Sequence, residues 1–179
     1  MSIAPSPTVT LDPAAPDDAP LLANLLELYV HDLSAAFQID VGADGRFGYD
    51  KLPLYWSEPG RRFAFLIHCA GKLAGFAFAT RGSPASDDPD AFDFAEFFVL
   101  RRYRRAGVGG VAATMLWDRF PERTWVVRVS MGNRDALPFW DRVVRSYTGG
   151  AYTAAERPGQ PHAWQIFTLR SGARTTPQA

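Results

Sequence analysis

Arg101, Arg102, Arg104 and Arg105 crowd onto one short stretch that continues through Ala106, Gly107, Val108, Gly109 and Gly110. Neighbouring guanidinium groups repel by roughly a few tenths of a kcal/mol per pair, so the cluster favours a counter-anion. The stretch joins an apolar run at 97–100 to an amphipathic helical pattern. A glycine-containing loop at a helix N-terminus presents free backbone N–H groups and the positive end of the helix dipole, which together hold phosphate. The bland alternative is a surface turn with solvated arginines. No Lys followed by Ser or Thr closes the loop, and the three-glycine dinucleotide spacing is absent, so it matches neither common nucleotide loop. A second chemically capable residue is Glu96, set among Phe92, Phe94, Phe97 and Phe98. A carboxylate desolvated by such neighbours has a raised pKa and suits general-base work. It would otherwise point outward by strand alternation or pair with an arginine, and Asp93 is a weaker substitute.

The run from Arg104 to Gly109 reads Arg-x-x-Gly-x-Gly, and Asn133, Ala136, Phe139 and Trp140 follow about one βα unit later. In this order, over residues 92–144, the two motifs resemble the GCN5-related N-acetyltransferase family. The resemblance implies an α+β single domain: a mixed, mostly antiparallel twisted sheet with helices on both faces and a splayed central parallel strand pair. It implies that Arg104, Arg105, Ala106, Gly107, Val108, Gly109 and Gly110 hold the pyrophosphate of acetyl-coenzyme A, with Arg102 or Arg105 at the 3′-phosphate. Asn133, Ala136, Phe139 and Trp140 would line the pantetheine arm, although Asn133 would serve equally as a plain helix N-cap. A backbone N–H at about Val99 would bond the cofactor arm and stabilise the oxyanion.

The expected reaction is direct transfer of acetyl from acetyl-coenzyme A to a primary amine within a ternary complex, with Glu96 as base. Many relatives place Tyr where Trp140 stands, and an indole N–H is no acid for a thiolate. Protonation then falls to Tyr147, Tyr152 or water, or the thiolate simply leaves to solvent. By the same resemblance the acceptor pocket draws on Tyr29, His31, Asp32, Tyr49, Tyr55 and Trp56, whose ordinary roles are core packing and a solvated helix end. A non-catalytic acyl-coenzyme A sensor on the same scaffold is the alternative.

Several elements must position these residues. Strands are expected at 8–11, 63–69, 72–80, 92–99, 125–129, 151–153 and 164–169, with a hairpin turn at Ala70 and Gly71. Leu21, Leu22, Leu25, Leu26 and Tyr29 recur at helical spacing, as do Val108, Val111, Ala112, Met115 and Leu116. A further helix is expected at 135–146, and 38–60 reads as an irregular, aromatic-rich loop. One strand, a crossover helix and another strand imply parallel pairing of 92–99 with 125–129.

The 179 residues suit one domain at 8–170, with flexible tails at 1–7 and 171–179. Lys plus Arg equals Asp plus Glu at 19 each, so no global field draws the chain to nucleic acid, and the arginine cluster alone is poor support for such a partner. Cys69 is alone and lies in an apolar run, and His31, His68 and His162 lack ligand spacing, so neither disulfide nor metal site is expected. No segment reads as a secretory signal or membrane span. The expectation is a cytoplasmic chain, monomer or homodimer, whose partners are acetyl-coenzyme A and an amine-bearing small molecule or protein.

Overall fold

Among the described residues seven strands form one sheet in the order β1-β2-β3-β4-β5-β7-β6. The computed structural model describes residues 8–172. The strands are β1 Val9–Pro13, β2 Arg62–Cys69, β3 Lys72–Arg81, β4 Phe92–Val99, β5 Thr124–Ser130, β6 Tyr152–Arg157 and β7 Trp164–Arg170. The helices are α1 Ala19–Phe37, α2 Leu54–Ser57, α3 Val108–Arg119 and α4 Ala136–Thr148. All neighbours pair antiparallel except β4 and β5, which are parallel. The expected mixed, mostly antiparallel sheet is therefore present, and β6 extends past the expected 151–153. The β2–β3 turn is built on Ala70 (φ 50°) and Gly71 (φ 71°), the left-handed pair that a tight hairpin demands.

Each face buries its own core. Phe94, Val108, Ala112, Leu116, Trp117, Trp125, Trp140 and Val144 pack beneath α3 and α4. Leu22, Leu25, Leu26, Tyr55, Phe76, Phe78 and Phe98 pack beneath α1 and α2. Gly75 lets β3 approach β4 closely: a Cβ there would stand 2.0 Å from the Phe98 carbonyl oxygen.

β4 and β5 pair only at Phe92 with Trp125 and Asp93 with Val126, and no further pairing follows. The two strands part at that point. Asp93, 1% exposed, accepts hydrogen bonds from Arg128 Nε at 2.9 Å and Nη2 at 2.6 Å, and from Ser83 Oγ at 2.7 Å. This paired carboxylate ties β4 to β5 at the vertex of the fork. Asp93 is committed there, away from the base role for which it was the weaker candidate.

The expected tails at 1–7 and 173–179 lie outside the described residues. Ser171, assigned to the tail by composition, is buried. Its Oγ donates to the Phe120 carbonyl at 2.5 Å and accepts from Arg123 N at 3.0 Å. No described helix is long and apolar enough to cross a membrane.

Candidate active site

The arginine–glycine stretch sits where the fork opens, at the C-terminal end of β4. A 3-10 turn at Arg101–Tyr103 leaves the strand, and Gly107 (φ 81°) is the residue before α3. Arg105 is also left-handed, at φ 63°. This alternation of left-handed residues turns successive N–H groups toward one concavity. Among the described residues none of the backbone N–H groups from Arg105 to Gly110 has a hydrogen-bond partner. Val108, Gly109 and Gly110 form the first turn of α3, where orphan amides are inherent. Gly109 faces the ring of Phe139, with 3.2 Å left for a Cβ. The glycines thus have different reasons: backbone conformation at Gly107, packing at Gly109.

Arg104 does not project freely from this loop. Its Nε donates to the Val99 carbonyl at 2.6 Å, its guanidinium lies 5.4 Å from the Phe98 ring centroid, and it pairs with Asp32. Arg101 donates to the other Asp32 oxygen at 2.7 Å. Burial pushes the Asp32 carboxyl up, but Arg104 and Arg101 outweigh it and hold the group below its ordinary range. Asp32 therefore ties α1 to the loop instead of lying open as a pocket wall.

Val99 is the last residue of β4. Leu100 N donates to Ala74 O of β3 at 2.8 Å, so strand alternation turns the N–H and C=O of Val99 toward the open edge. Arg104 takes that carbonyl, which leaves the N–H for the fork. Across the fork, the Asn133 side-chain oxygen accepts from Ala136 N at 3.3 Å at the start of α4. Asn133 thus braces the turn that leads into α4, whose cap residue is Asp135, and the amide NH₂ of Asn133 remains uncommitted among the described residues. Phe139 stacks on Phe97 with centroids 6.0 Å apart, while Trp140 is buried against Phe94, Phe97 and Trp117. Trp140 fills core volume under α4.

Glu96 lies on the other face, toward α1. In the β3–β4 register Phe78 pairs with Glu96 but Ala79 pairs with Phe94, so Ala95 is an extra residue in β4. Such a bulge turns the following side chain to the opposite face. Glu96 Oε2 accepts from Tyr29 Oη at 2.6 Å, and Oε1 accepts from Tyr49 Oη at 2.9 Å. Burial pushes the Glu96 carboxyl above its ordinary value, and the two phenols draw it back only in part. Burial likewise raises the phenols of Tyr29, Tyr49 and Tyr55, with the Glu96 charge adding to the effect, so all three stay neutral at physiological pH.

The remaining expected residues divide. Tyr55 is buried with its ring centroid 4.2 Å from that of Phe78, and Trp56 Nε1 donates to the Ala14 carbonyl at 3.1 Å; both pack in the core on the α1 side instead of lining an acceptor pocket. His31 is exposed, edge-on to Phe47. Tyr147 donates to Asp118 at 2.9 Å and packs on Trp117. Asp118 closes α3 ten residues after Val108, about 15 Å along the helix. The Tyr147 hydroxyl is thus held at the far end of α3 from the glycine loop. Tyr152 is bound to Asp141 at 3.0 Å.

Two features of the site are not visible in the sequence. The Asp93–Arg128 tie joins residues 35 apart, and only the strand pairing brings them together. A cavity of about 600 Å³ opens between α1 and the 40–52 loop, with Leu26, Glu27, Arg46, Phe47 and Tyr49 in its wall. Glu27 docks the loop by accepting from Phe47 N at 2.8 Å and Gly48 N at 3.0 Å. The aromatic richness of 38–60 is the only signal for it.

No protein-family model matches the sequence, and no curated protein does. Solved structures do match. An N-acetyltransferase of ribosomal protein L7/L12, in complex with coenzyme A, aligns at TM-score 0.64 and 15% identity, over 93% of this chain and 96% of its own. The spermidine N-acetyltransferase of Vibrio cholerae, in complex with coenzyme A and spermine, aligns at 0.62 and 11%, over 92% and 96%. A Desulfovibrio desulfuricans protein assigned to the GNAT family aligns at 0.58 and 16%, over 92% and 100%. The sheet order, the parallel fork and the helices on both faces give this chain the fold of the GNAT-family acetyltransferases.

Proposed function

We propose that the protein is an acetyl-coenzyme A-dependent N-acetyltransferase acting on a primary amine. The observation that carries this reading is the fork: partnerless amides of the loop at one end, the Val99 N–H along its edge, and a desolvated carboxylate beside it. Amides aligned at a helix start suit a pyrophosphate. The Val99 N–H suits the thioester oxygen as it gains charge, and the Asn133 amide suits the pantetheine arm. Glu96 meets the other requirement, since an amine of pKa near 10 is mostly protonated at neutral pH and must lose a proton before it attacks. On this reading the cofactor lies on the side of α3 and α4, the acceptor approaches from the side of α1 and the 40–52 loop, and the two meet at the fork. The neighbours that share the fold act on a polyamine and on a ribosomal protein, so the fold alone does not choose the acceptor.

Calorimetric titration of acetyl-coenzyme A into the wild type and an Ala106→Glu variant tests the loop. Ala106 is exposed and carries no hydrogen bond, so the substitution adds charge without disturbing the Arg104–Asp32 tie. A carboxylate about 6 Å from two phosphate charges costs about 1.4 kcal/mol even at the dielectric of water, roughly tenfold in affinity. Micromolar binding weakened by that factor or more supports the site, whereas no binding by the wild type sinks it. Release of coenzyme A with a panel of spermine, tyramine and a short peptide with a free N-terminus then separates an enzyme from a non-catalytic sensor.

A further inference from the structure

Both oxygens of Glu96 are already occupied by phenols, so the carboxylate meets its surroundings through Tyr29 and Tyr49. The two phenols differ in what lies behind them. Tyr29 belongs to α1 and is wedged against Phe76, at a centroid distance of 5.6 Å, and Phe98, at 5.9 Å. Tyr49 belongs to the 40–52 loop and forms part of the wall of the 600 Å³ cavity, to which Glu96 itself does not contribute. Tyr49 thus both lines the cavity and holds the carboxylate.

We propose that Tyr49 is the catalytic residue that touches the acceptor amine and passes its proton to Glu96, while Tyr29 is a positioning residue that fixes the carboxylate. The proposal rests on the acetyltransferase reading and adds to it the acceptor side. In this step the acceptor ammonium gives a proton to the Tyr49 oxygen as the Tyr49 hydroxyl proton moves to Glu96 Oε1. The products are a neutral amine, an unchanged phenol and a protonated Glu96. The amine lone pair then attacks the thioester carbonyl carbon, and the C–S bond breaks with its electron pair on sulfur. The second nitrogen proton goes to the leaving thiolate, and Glu96 returns its own proton to solvent. Because burial keeps the phenols far from ionising, Tyr49 exchanges protons in a concerted manner and never stands as a phenolate. The cavity's place between α1 and the loop puts the acceptor on the face away from α3 and α4, so amine and cofactor enter from opposite sides of the sheet.

The groups that face Glu96 are Tyr29 from α1, Tyr49 and Lys51 from the loop, Tyr55 from α2 and Arg128 from β5. Loss of either phenol donor removes a contact that favours the ionised carboxylate, so the acid limb of the kcat/KM profile moves to higher pH in both Tyr49→Phe and Tyr29→Phe. The relay adds an asymmetry that a shared supporting role would not. The experiment measures acetyl-coenzyme A affinity by calorimetry, and kcat against pH by thiol release, using whichever of spermine, tyramine and the peptide turns over fastest. Tyr49→Phe is expected to lose about a hundredfold in kcat on the pH plateau, within the usual range for one proton-transfer group, with acetyl-coenzyme A affinity unchanged within twofold. Tyr29→Phe is expected to lose less than about fivefold there. A Tyr49→Phe loss under tenfold, or one matched by Tyr29→Phe, overturns the relay while leaving the acetyltransferase reading intact. A wild type that binds acetyl-coenzyme A but turns over none of the amines overturns both.

Discussion

Two glycines on the same path to the fork should respond oppositely to the same added methyl group. A Cβ on Gly75 would lie 2.0 Å from the Phe98 carbonyl oxygen and 3.0 Å from Val99 Cα, and both are backbone. Restoring an ordinary van der Waals contact requires β4 to retreat by more than about 1 Å at the residues that carry the open edge. Overpacking that backbone must absorb sits at the upper end of the usual cost, about 3 kcal/mol, or a melting point roughly 6–12 °C lower in a domain of this size. A Cβ on Gly110 meets only Val143 Cγ2 at 3.6 Å, an ordinary contact, and the position is helical. Gly110→Ala should therefore gain about 0.5–1 kcal/mol by restricting the unfolded chain. Thermal melts and urea titrations followed by circular dichroism read both changes, and calorimetry should show weaker acetyl-coenzyme A binding for Gly75→Ala because Val99 has moved. A Gly75→Ala protein within 1 kcal/mol of wild type, or a destabilised Gly110→Ala, would refute the steric reasoning.

Other consequences are as specific. Glu96→Gln should cut kcat by about 10²–10⁴ without altering acetyl-coenzyme A affinity, and an unchanged kcat would remove Glu96 from the chemistry. The same substitution probes linkage. Burial raises the Glu96 carboxyl above its ordinary 4.5, so its contribution to stability is complete below about pH 4.5 and is lost as pH rises through the higher folded value. Urea midpoints should show the wild type losing ground to Glu96→Gln between pH 4 and pH 7, and a constant difference would contradict the raised value. Asp93→Ala strips a 1% exposed carboxylate from Arg128 and should cost about 3–5 kcal/mol, part of which returns when Arg128 is also replaced by Met. A loss below 1 kcal/mol in equilibrium unfolding would show that the vertex of the fork does not depend on this pair.

The residues alone determined whatever depends on neighbours in the chain. The β2–β3 turn, the 92–99 strand and the glycine loop are each contiguous patterns in which one local conformation satisfies the backbone, whereas the expected stripe of α3 is present only in part: Val111 is exposed, and Ala113 and Trp117 are buried beside Val108, Ala112 and Leu116. The loop was legible for the same reason: its amides, glycines and helix start lie within ten residues. The family resemblance also implied the splayed parallel pair, and the pairing of β4 with β5 for only two residues accords with it.

Tertiary structure decided the orientation of the chemistry. Strict alternation would set Glu96 on the same face as Phe92 and Phe94, beneath α3 and α4. The extra residue Ala95 turns it toward α1 instead, and a bulge exists only relative to the register of a partner strand. Its phenol partners come from 67 and 47 residues away, and no periodicity in β4 encodes them. Asp32 and Tyr147 show the same limit from the other side. Each has a side chain suited to a site, but Asp32 is bound to the loop arginines and Tyr147 is held at the far end of α3. A side chain's type fixes what chemistry it can do, and the long-range packing of this sheet and its helices fixes which partners it meets.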